Sequence, residues 1–425
     1  MSAPPSQQPT PAVPADSRAR AAEPARTGSA RHGVGFWCVA FAFLVAMAFS
    51  TVPTPLYPLY MQADGFSTFT VTVVFAVYAV GVITSLILAG HVSDWVGRKR
   101  VLVTALALEL VAAVVFLLSS ALPALIVGRV VSGLGVGMLT ATATAHLHEL
   151  HSAHRPEASP QRFQIVSTAA NIGGLGAGTL VAGCLAQWVD GPLRTPYAVF
   201  AGLLVLAIVA VLATPETVEL RWGSRPYRPQ RVSADHGDRP AYVAAAGAGI
   251  AAFSVFGLFT SVAPAFLAGE LHRPSRALAG AIVFAVFAAA AAAQTLTGHL
   301  RENARQPLGL VLQALGLVVL VIGMRSTSLT AFLVGGIVTG IGSGVLFKDA
   351  VGKVVAMAAP DRRGEALAGL FLFSYLGLIV PVLGMGLAML QLPATTVITW
   401  FAAIIIVLLA AIAALGARRQ TTAQS

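Results

Sequence analysis

The fold class the sequence predicts is an all-α polytopic membrane protein, with twelve transmembrane helices in two pseudo-symmetric bundles of six. Three observations predict it. Of 425 residues, 56% are hydrophobic and only 10% are charged, whereas a soluble domain carries roughly 25% charged residues. A mean hydropathy of +0.79 points the same way. Apolar runs of about 20 residues, the length that crosses the hydrocarbon core as a helix, recur along the chain. The second half also repeats short stretches of the first.

Residues 1–34 are rich in Pro, Ala, Ser, Gln and Arg and contain no long apolar run. They are expected as a disordered cytoplasmic tail. The first apolar segment is long and lacks a small-residue cleavage site, so an uncleaved first span is expected. Apolar segments follow at 35–55, 69–90, 101–120, 122–145, 164–188, 196–214, 241–268, 278–299, 308–324, 328–350, 364–388 and 393–416. Each is expected to be helical, because a helix satisfies its own backbone groups in lipid. Pro53, Pro55 and Pro58 should break the first of them at its end. The longest polar interruption is 215–239. It divides the chain into an N-terminal bundle (35–214), a cytoplasmic linker (215–240), a C-terminal bundle (241–416) and a short cytoplasmic tail (417–425).

The cations orient these spans. With the N-terminus placed inside, 21 of the 27 basic residues fall in cytoplasmic segments and four fall outside: Arg194, Arg273, Arg276 and Arg325. Arg129 and Lys348 lie within spans. This bias predicts a multi-pass protein of the plasma (inner) membrane with both termini cytoplasmic. The net charge of +10 is thus a topology signal, and no nucleic-acid partner is expected. Cys38 and Cys184 both lie in apolar spans, so neither a disulfide framework nor a metal site is expected. His146, His148, His151 and His154 suit no standard zinc spacing and are expected to be solvated or near lipid headgroups.

The repeat appears by direct comparison. Val74–Ala79 recurs at Val283–Ala288, a shift of 209, and Gly90-His91 recurs at Gly298-His299, a shift of 208. The fourth-span triplet Gly133-x-Gly135-x-Gly137 recurs as Gly340-x-Gly342-x-Gly344, a shift of 207. Pro55 has its counterpart in Pro264.

Between the second and third spans lies Gly90-His-Val-Ser-Asp94-Trp95-Val-Gly97-Arg98-Lys99-Arg100. It resembles the signature loop of the major facilitator superfamily, with Trp95 where a cation is usual. The resemblance covers residues 35–416. It implies the fold of that superfamily and a loop that latches the two halves, formed here by Gly90, Asp94, Gly97, Arg98 and Arg100. Asp94 would then face the start of the eleventh helix, residues 364–368. Arg98 can pair bidentately with a carboxylate, and Glu149 is a plausible partner. Leu125-x-x-x-Arg129-x-x-Ser132-Gly133-x-Gly135 is similar to the family's fourth-helix motif, whose Arg is linked to proton movement in exporters. Arg129 is expected either to contact an anionic substrate, to tune a neighbouring acid, or to snorkel to the interface. Thr140 lies three turns on and shares its face. Residues Gly174–Gly183 resemble a degraded exporter motif, for which close helix packing is a sufficient explanation.

Further candidates for substrate or proton coupling are Glu109, midway along the third span, and Lys348-Asp349, near the inner end of the tenth. Adjacent helical residues do not face each other, so Lys348 and Asp349 each need a separate partner. No Gly-rich phosphate cradle, nucleophile elbow or metal quartet is present, so neither an enzyme nor a cofactor is expected. The expected function is proton-coupled export (antiport) of a small lipophilic or amphipathic compound by a monomer embedded in the bilayer. The alternatives are proton-coupled uptake of a small organic anion, and a non-transporting receptor or scaffold.

Overall fold

The computed structural model describes residues 15–218, 229–230, 238–270, 272–359 and 362–422, with side chains described within 30–416. Twelve helices among them are long and apolar enough to cross a membrane. These are α1 (Ala30–Asp64), α2 (Thr68–Ala89), α3 (Arg98–Leu118), α4 (Leu122–His154), α5 (Gln161–Trp188), α6 (Thr195–Leu212), α7 (Arg239–Gly269), α8 (Arg276–His299), α9 (Glu302–Arg325), α10 (Leu329–Met357), α11 (Arg363–Ala388) and α12 (Ala394–Gly416).

Helices outrun the apolar segments where nothing stops the backbone ladder. The helix of α1 begins at Ala15, so residues 15–34 are helical where a disordered tail is expected. Their Ala and Arg content favours helix, and α1 continues from them without a break. At the other end the helix of α12 runs to Thr422. Arg221, Arg225, Arg228 and Arg231 of the expected linker lie outside the described residues.

The prolines act as the sequence predicts. The first helix stops at Thr51, a 3-10 turn spans Thr54–Leu56, and helix resumes over Tyr57–Asp64. The corresponding place in α7 carries a π-helical turn, Leu258–Val262, just before Pro264. Each break frees backbone groups that must be re-satisfied inside the protein.

Packing repeats helix for helix. In the first half α4 touches α1, α2 and α3, while α1 also packs on α5 and α6, and α3 on α6. In the second half α10 touches α7, α8 and α9, while α7 packs on α11 and α12, and α9 on α12. The two sets meet along α5–α8 and α2–α11. Large apolar side chains point outward around this assembly, among them Leu118, Val209 and Val407.

The fourth-span glycines explain how α4 and α10 each hold three neighbours. A Cβ on Gly137 would lie 2.6 Å from the Val82 carbonyl oxygen of α2, and one on Gly133 would strike the Tyr78 carbonyl. Gly135 faces the other way, onto Ala105 and Glu109 of α3. The second half repeats this: Gly340 and Gly344 meet Val286 and Ala290 of α8, and Gly342 meets Gln313 of α9. Such contacts let backbones approach where lipid supplies no hydrophobic drive to associate.

The halves are sealed at the end away from the Gly90–Arg100 loop. There a Cβ on Gly183 would lie 2.5 Å from the Arg276 carbonyl, and Gly386 of α11 abuts Thr72 of α2. The Thr179 hydroxyl donates to the Gly280 carbonyl at 3.1 Å, and the Arg276 guanidinium donates to the Ala186 carbonyl at 3.0 Å.

Gly133→Val and Gly340→Val should each lower thermal stability of the detergent-purified protein by about 1–3 kcal/mol or more, the usual cost of overpacking. Gly384→Ala, at a position with nothing within 4 Å of an added Cβ, should leave the melting temperature unchanged. Melting curves of the three variants check this.

Candidate functional site

The sequence-predicted residues fall into three places. The first is the loop end. Gly97 has φ 109° and ψ 142° immediately before α3, a conformation that favours glycine. Gly90, by contrast, has ordinary helical angles, φ −57° and ψ −29°, so no unusual turn is made there. Arg98 is the centre of this place. Its Nη1 donates to Ser93 Oγ at 2.7 Å and to Asp94 Oδ1 at 2.5 Å. Its Nη2 donates to Glu149 Oε1 at 2.9 Å, and its Nε also donates to that carboxylate. The predicted Arg98–Glu149 pairing is present, joining the start of α3 to the last turns of α4.

The Pro215-Glu216-Thr217 stretch, just after α6, closes the same network. Glu216 accepts from the backbone N–H of Arg98 at 3.0 Å and of Lys99 at 3.1 Å. A carboxylate at the first turn satisfies donors the helix cannot, and it complements the helix dipole. The Thr217 hydroxyl donates to Glu149 Oε2 at 2.5 Å. Lys99 Nζ donates to the Leu212 carbonyl, and Arg100 points outward. An acid one residue after a span-ending proline reads as solvated, and only its three-dimensional neighbours give it a role.

In this structure Asp94 has its ion pair elsewhere than residues 364–368. Its carboxylate pairs with Arg98 and is 63% exposed. Gln230 stands in the region instead. Its backbone N–H donates to the Ile87 carbonyl of α2 at 2.8 Å, and its side-chain nitrogen lies 3.4 Å from where a Cβ on Gly364 would be. A linker residue thus sits between the loop-side ends of α2 and α11. Of the four histidines, His148 is exposed, as expected, but two are not. His146 and His151 are buried, with Nε2 atoms 3.1 Å from the Pro215 carbonyl and 3.3 Å from the Ser159 carbonyl. His148 stands edge-on to Phe163. Helix α4 extends through all four and turns the His146 and His151 rings onto neighbouring chain.

The second place lies within the first half. Arg129 is 2% exposed, and its Nη1 donates to the Ser50 carbonyl of α1 at 2.6 Å. The guanidinium lies 4.3 Å from the centroid of the Tyr78 ring, a contact worth about 2 kcal/mol when desolvated. It therefore points into the bundle rather than snorkelling to an interface. Thr140 also reaches α1, at Met47 Sδ, 3.9 Å away, so the shared face is real. Glu109 of α3 is fully buried and accepts from Ser132 Oγ at 2.9 Å, one turn from Arg129. Arg129 and Glu109 are neighbours on opposite sides of α4, without an ion pair between them.

The third place is the loop end of the second half. Lys348 Nζ donates to the Gln294 carbonyl of α8. Asp349 pairs with Lys353 at 2.8 Å, and Lys353 also donates to Gln306 Oε1 at 2.5 Å. The two adjacent residues have separate partners, as the helix requires, and neither joins Arg129 or Glu109.

A further group was not legible as a site. Half-buried Phe253 of α7 has its ring 5.0 Å from Phe347 of α10 and 5.3 Å from Tyr375 of α11. Phe347 contacts Phe371 at 5.8 Å, and Phe256 stacks on Phe287 at 4.8 Å. Scattered aromatics in apolar spans read as ordinary core, and only the crossing of α7, α10 and α11 gathers them. Tyr375 lies within electrostatic reach of Tyr78, which holds Arg129, so the aromatic group of the second half approaches the charged group of the first.

Twelve spanning helices with two repeated packing hubs and a charge-stapled loop define a protein of the superfamily fold. The family model described as Major Facilitator Superfamily matches residues 39–246. Two uncharacterized MFS-type transporters of Mycobacterium tuberculosis are each 28% identical, one over 180 residues and one over 185. These matches take in 42% and 43% of this chain but only 31% and 26% of those relatives, so the chain spans under a third of their length. Among solved structures, a POT family transporter in complex with a thioalcohol-conjugated peptide aligns with a TM-score of 0.71 at 13% identity, covering 91% of this chain and 96% of that one. The human organic anion transporter MFSD10 aligns with a TM-score of 0.64 at 14% identity, covering 90% and 99%. The chain is thus a multi-pass membrane protein with the fold of the major facilitator superfamily, whose family model matches just under half of it.

Glu216→Ala should lower stability by about 1 kcal/mol, as loss of a cap does, and Glu149→Ala by about 1–3 kcal/mol through the hydrogen bonds lost to Arg98 and Thr217. Thermal melts of the two variants and of their double mutant measure it. The double mutant should fall short of the sum, because both carboxylates act on Arg98.

Proposed function

We propose that this chain is a secondary active transporter that exports a small lipophilic or amphipathic organic compound in exchange for protons. The observation that carries the substrate class is the aromatic group Phe253, Phe347, Phe371 and Tyr375, which opposes Tyr78 and Arg129. Aromatic walls with one or two placed polar groups suit an apolar organic ligand. The whole substrate passage would be a midplane site between residues 35–214 and 241–416, opened alternately by rocking of one bundle against the other. The absence of any Walker-type loop in the sequence favours an ion gradient as the driving force, and protons are the ion assigned here.

The cation bias supports a plasma-membrane protein with the Gly90–Arg100 loop and both termini cytoplasmic. In that orientation the sealed end is external, and exposed Asp94 with Gln230 beside Gly364 belongs to a cytoplasm-open state. Asp94 then latches the outward-open state by meeting the start of α11 once Gln230 withdraws. Arg129, with Thr140 on its face, lies at the coupling site. Lys348 and Asp349 serve the cytoplasmic gate of the second half. The transporter acts as a monomer, with no cofactor.

The test uses inside-out vesicles with an acidic interior and a pH-sensitive dye, challenged with tetraphenylphosphonium, ethidium and a panel of organic acids. Proton efflux on adding the lipophilic cations is the expected result. Flux with the acids alone, moving with the proton, would replace export by uptake of an organic anion. Arg129→Ala should reduce the substrate-driven signal about tenfold or more, equivalent to about 1.4 kcal/mol in the coupled step, while the protein still inserts. Asp94→Asn should slow turnover with insertion unchanged, and wild-type rates in that variant would remove the latch.

A further inference from the structure

Glu109 and Gln313 occupy the same place in the two halves. Gly135 of α4 comes against Ala105 and Glu109 of α3, and its counterpart Gly342 of α10 comes against Gln313 of α9. One or two turns away, Gly128 comes against Phe116 and its counterpart Gly335 against Leu320. Both contacts relate α3 to α9 by a shift of 204 while relating α4 to α10 by 207. Glu109 and Gln313 are both fully buried, and each has one side-chain oxygen, Oε1, without a hydrogen-bond partner.

The second half fills this place with a neutral group. Gln313 Nε2 donates to the Ala251 carbonyl of α7 at 2.8 Å. A carboxylic acid protonated on one oxygen matches that amide in shape, with one donor arm and one acceptor arm, whereas a carboxylate only accepts. Glu109 already uses Oε2 as its acceptor arm, taking the Ser132 hydroxyl at 2.9 Å. The remaining arm, Oε1, is the position for a proton. An ionised Glu109 would be a buried charge with a single hydrogen bond, an arrangement proteins avoid.

The charged and titratable groups within electrostatic reach are Arg129 on α4 and Tyr78 on α2. Among the described residues, α1 and α6, the other long helices packed on α3, bring none to it. Arg129 is engaged with the Ser50 carbonyl and the Tyr78 ring, and its Nε is without a partner.

We propose that Glu109 is a buried proton-binding site, held as a neutral acid with its proton on Oε1, and that Arg129 is the counter-charge it calls on when the proton leaves. On deprotonation the O–H bond breaks, the electron pair stays on the carboxylate, and the proton passes to water. The new anion then competes with the Ser50 carbonyl for the guanidinium, so protonation is tied to the α1–α4 contact. Use of this site in transport rests on the proton-coupled reading above. Occupancy by a proton does not.

The measurement is infrared spectroscopy of the purified full-length protein without substrate, wild type minus Glu109→Gln. At neutral pH the wild type should carry a protonated-carboxyl C=O band that the variant lacks. Gln313→Glu should gain a second such band, and it keeps the test open if Glu109→Gln does not fold. Arg129→Gln should keep the Glu109 band to a pH higher by about one unit or more, a tenfold or greater change in proton affinity. A carboxylate spectrum for Glu109 at neutral pH, or no new band in folded Gln313→Glu, overturns the proposal. Vesicles that show no substrate-driven proton flux would sink the transport reading and leave the infrared result standing. A missing band with intact flux would do the reverse.

Discussion

Backbone contact at α4 and α10 is the constraint on which the rest of the structure depends. Each of these helices packs most closely on three neighbours, and lipid gives none of them a hydrophobic reason to associate. Glycine on two faces of α4 lets α2 and α3 approach to the backbone, at Gly133 and Gly137 on one side and Gly135 on the other. In this middle stretch the face toward α1 holds longer side chains, and there Arg129 and Thr140 are found. The small residues therefore do more than pack. They decide which face of the hub can hold a charge.

The loop staple follows a different logic. Arg98, Glu149, Glu216 and Thr217 bind the start of α3, the end of α4 and the segment after α6 to one another. All of these belong to the first half or to the residues that directly follow it. A network closed within one bundle makes that bundle stiff and leaves motion to the junctions α5–α8 and α2–α11. Those junctions are tight at the end away from the loop, where Gly183, Gly280 and Gly386 let the helices approach closely. Near the loop, Gln230 stands between α2 and Gly364. In the proposed cycle the stiff halves pivot about the sealed end.

The parts legible in the sequence were those with a one-dimensional signature. Apolar run length gave the twelve helices, and Pro55 and Pro264 marked the breaks in α1 and α7. The glycine triplets announced the repeat before any contact was known. Arg98 and Glu149 could be paired because both lie at the same end of adjacent spans. The misses share a physical cause: they depend on which way a helix turns. His146 and His151 look exposed in a polar stretch but are buried because α4 runs on past the apolar segment. Asp94 needed the position of Gln230, and no local pattern places a linker residue. Gln313 was visible as a lone amide in an apolar span, but its meaning came only from seeing Glu109 in the same place.

Where the repeat fails is as informative as where it holds. The shift of 207 that relates the glycine triplets carries Arg129 onto Gly336, and the shift of 209 that relates Pro55 to Pro264 carries Ser50 onto Phe259. In the first half the large cation of α4 fills the space beside the small serine of α1. In the second half the large ring of Phe259 fills the space beside Gly336, where an added Cβ would lie 2.8 Å from Cζ. The same contact is packed in both halves with the sizes exchanged. Volume at this joint is thus conserved while charge is not, and the exchange keeps the fold symmetric while its chemistry is one-sided. Glu109 and Gln313 follow the same rule, with equal shape and unequal capacity for a proton. A pair of bundles built this way can share one architecture and still divide the work. The first half has buried ionisable groups in its middle, and the second has aromatic walls there, with its charges Lys348, Asp349 and Lys353 near the loop end.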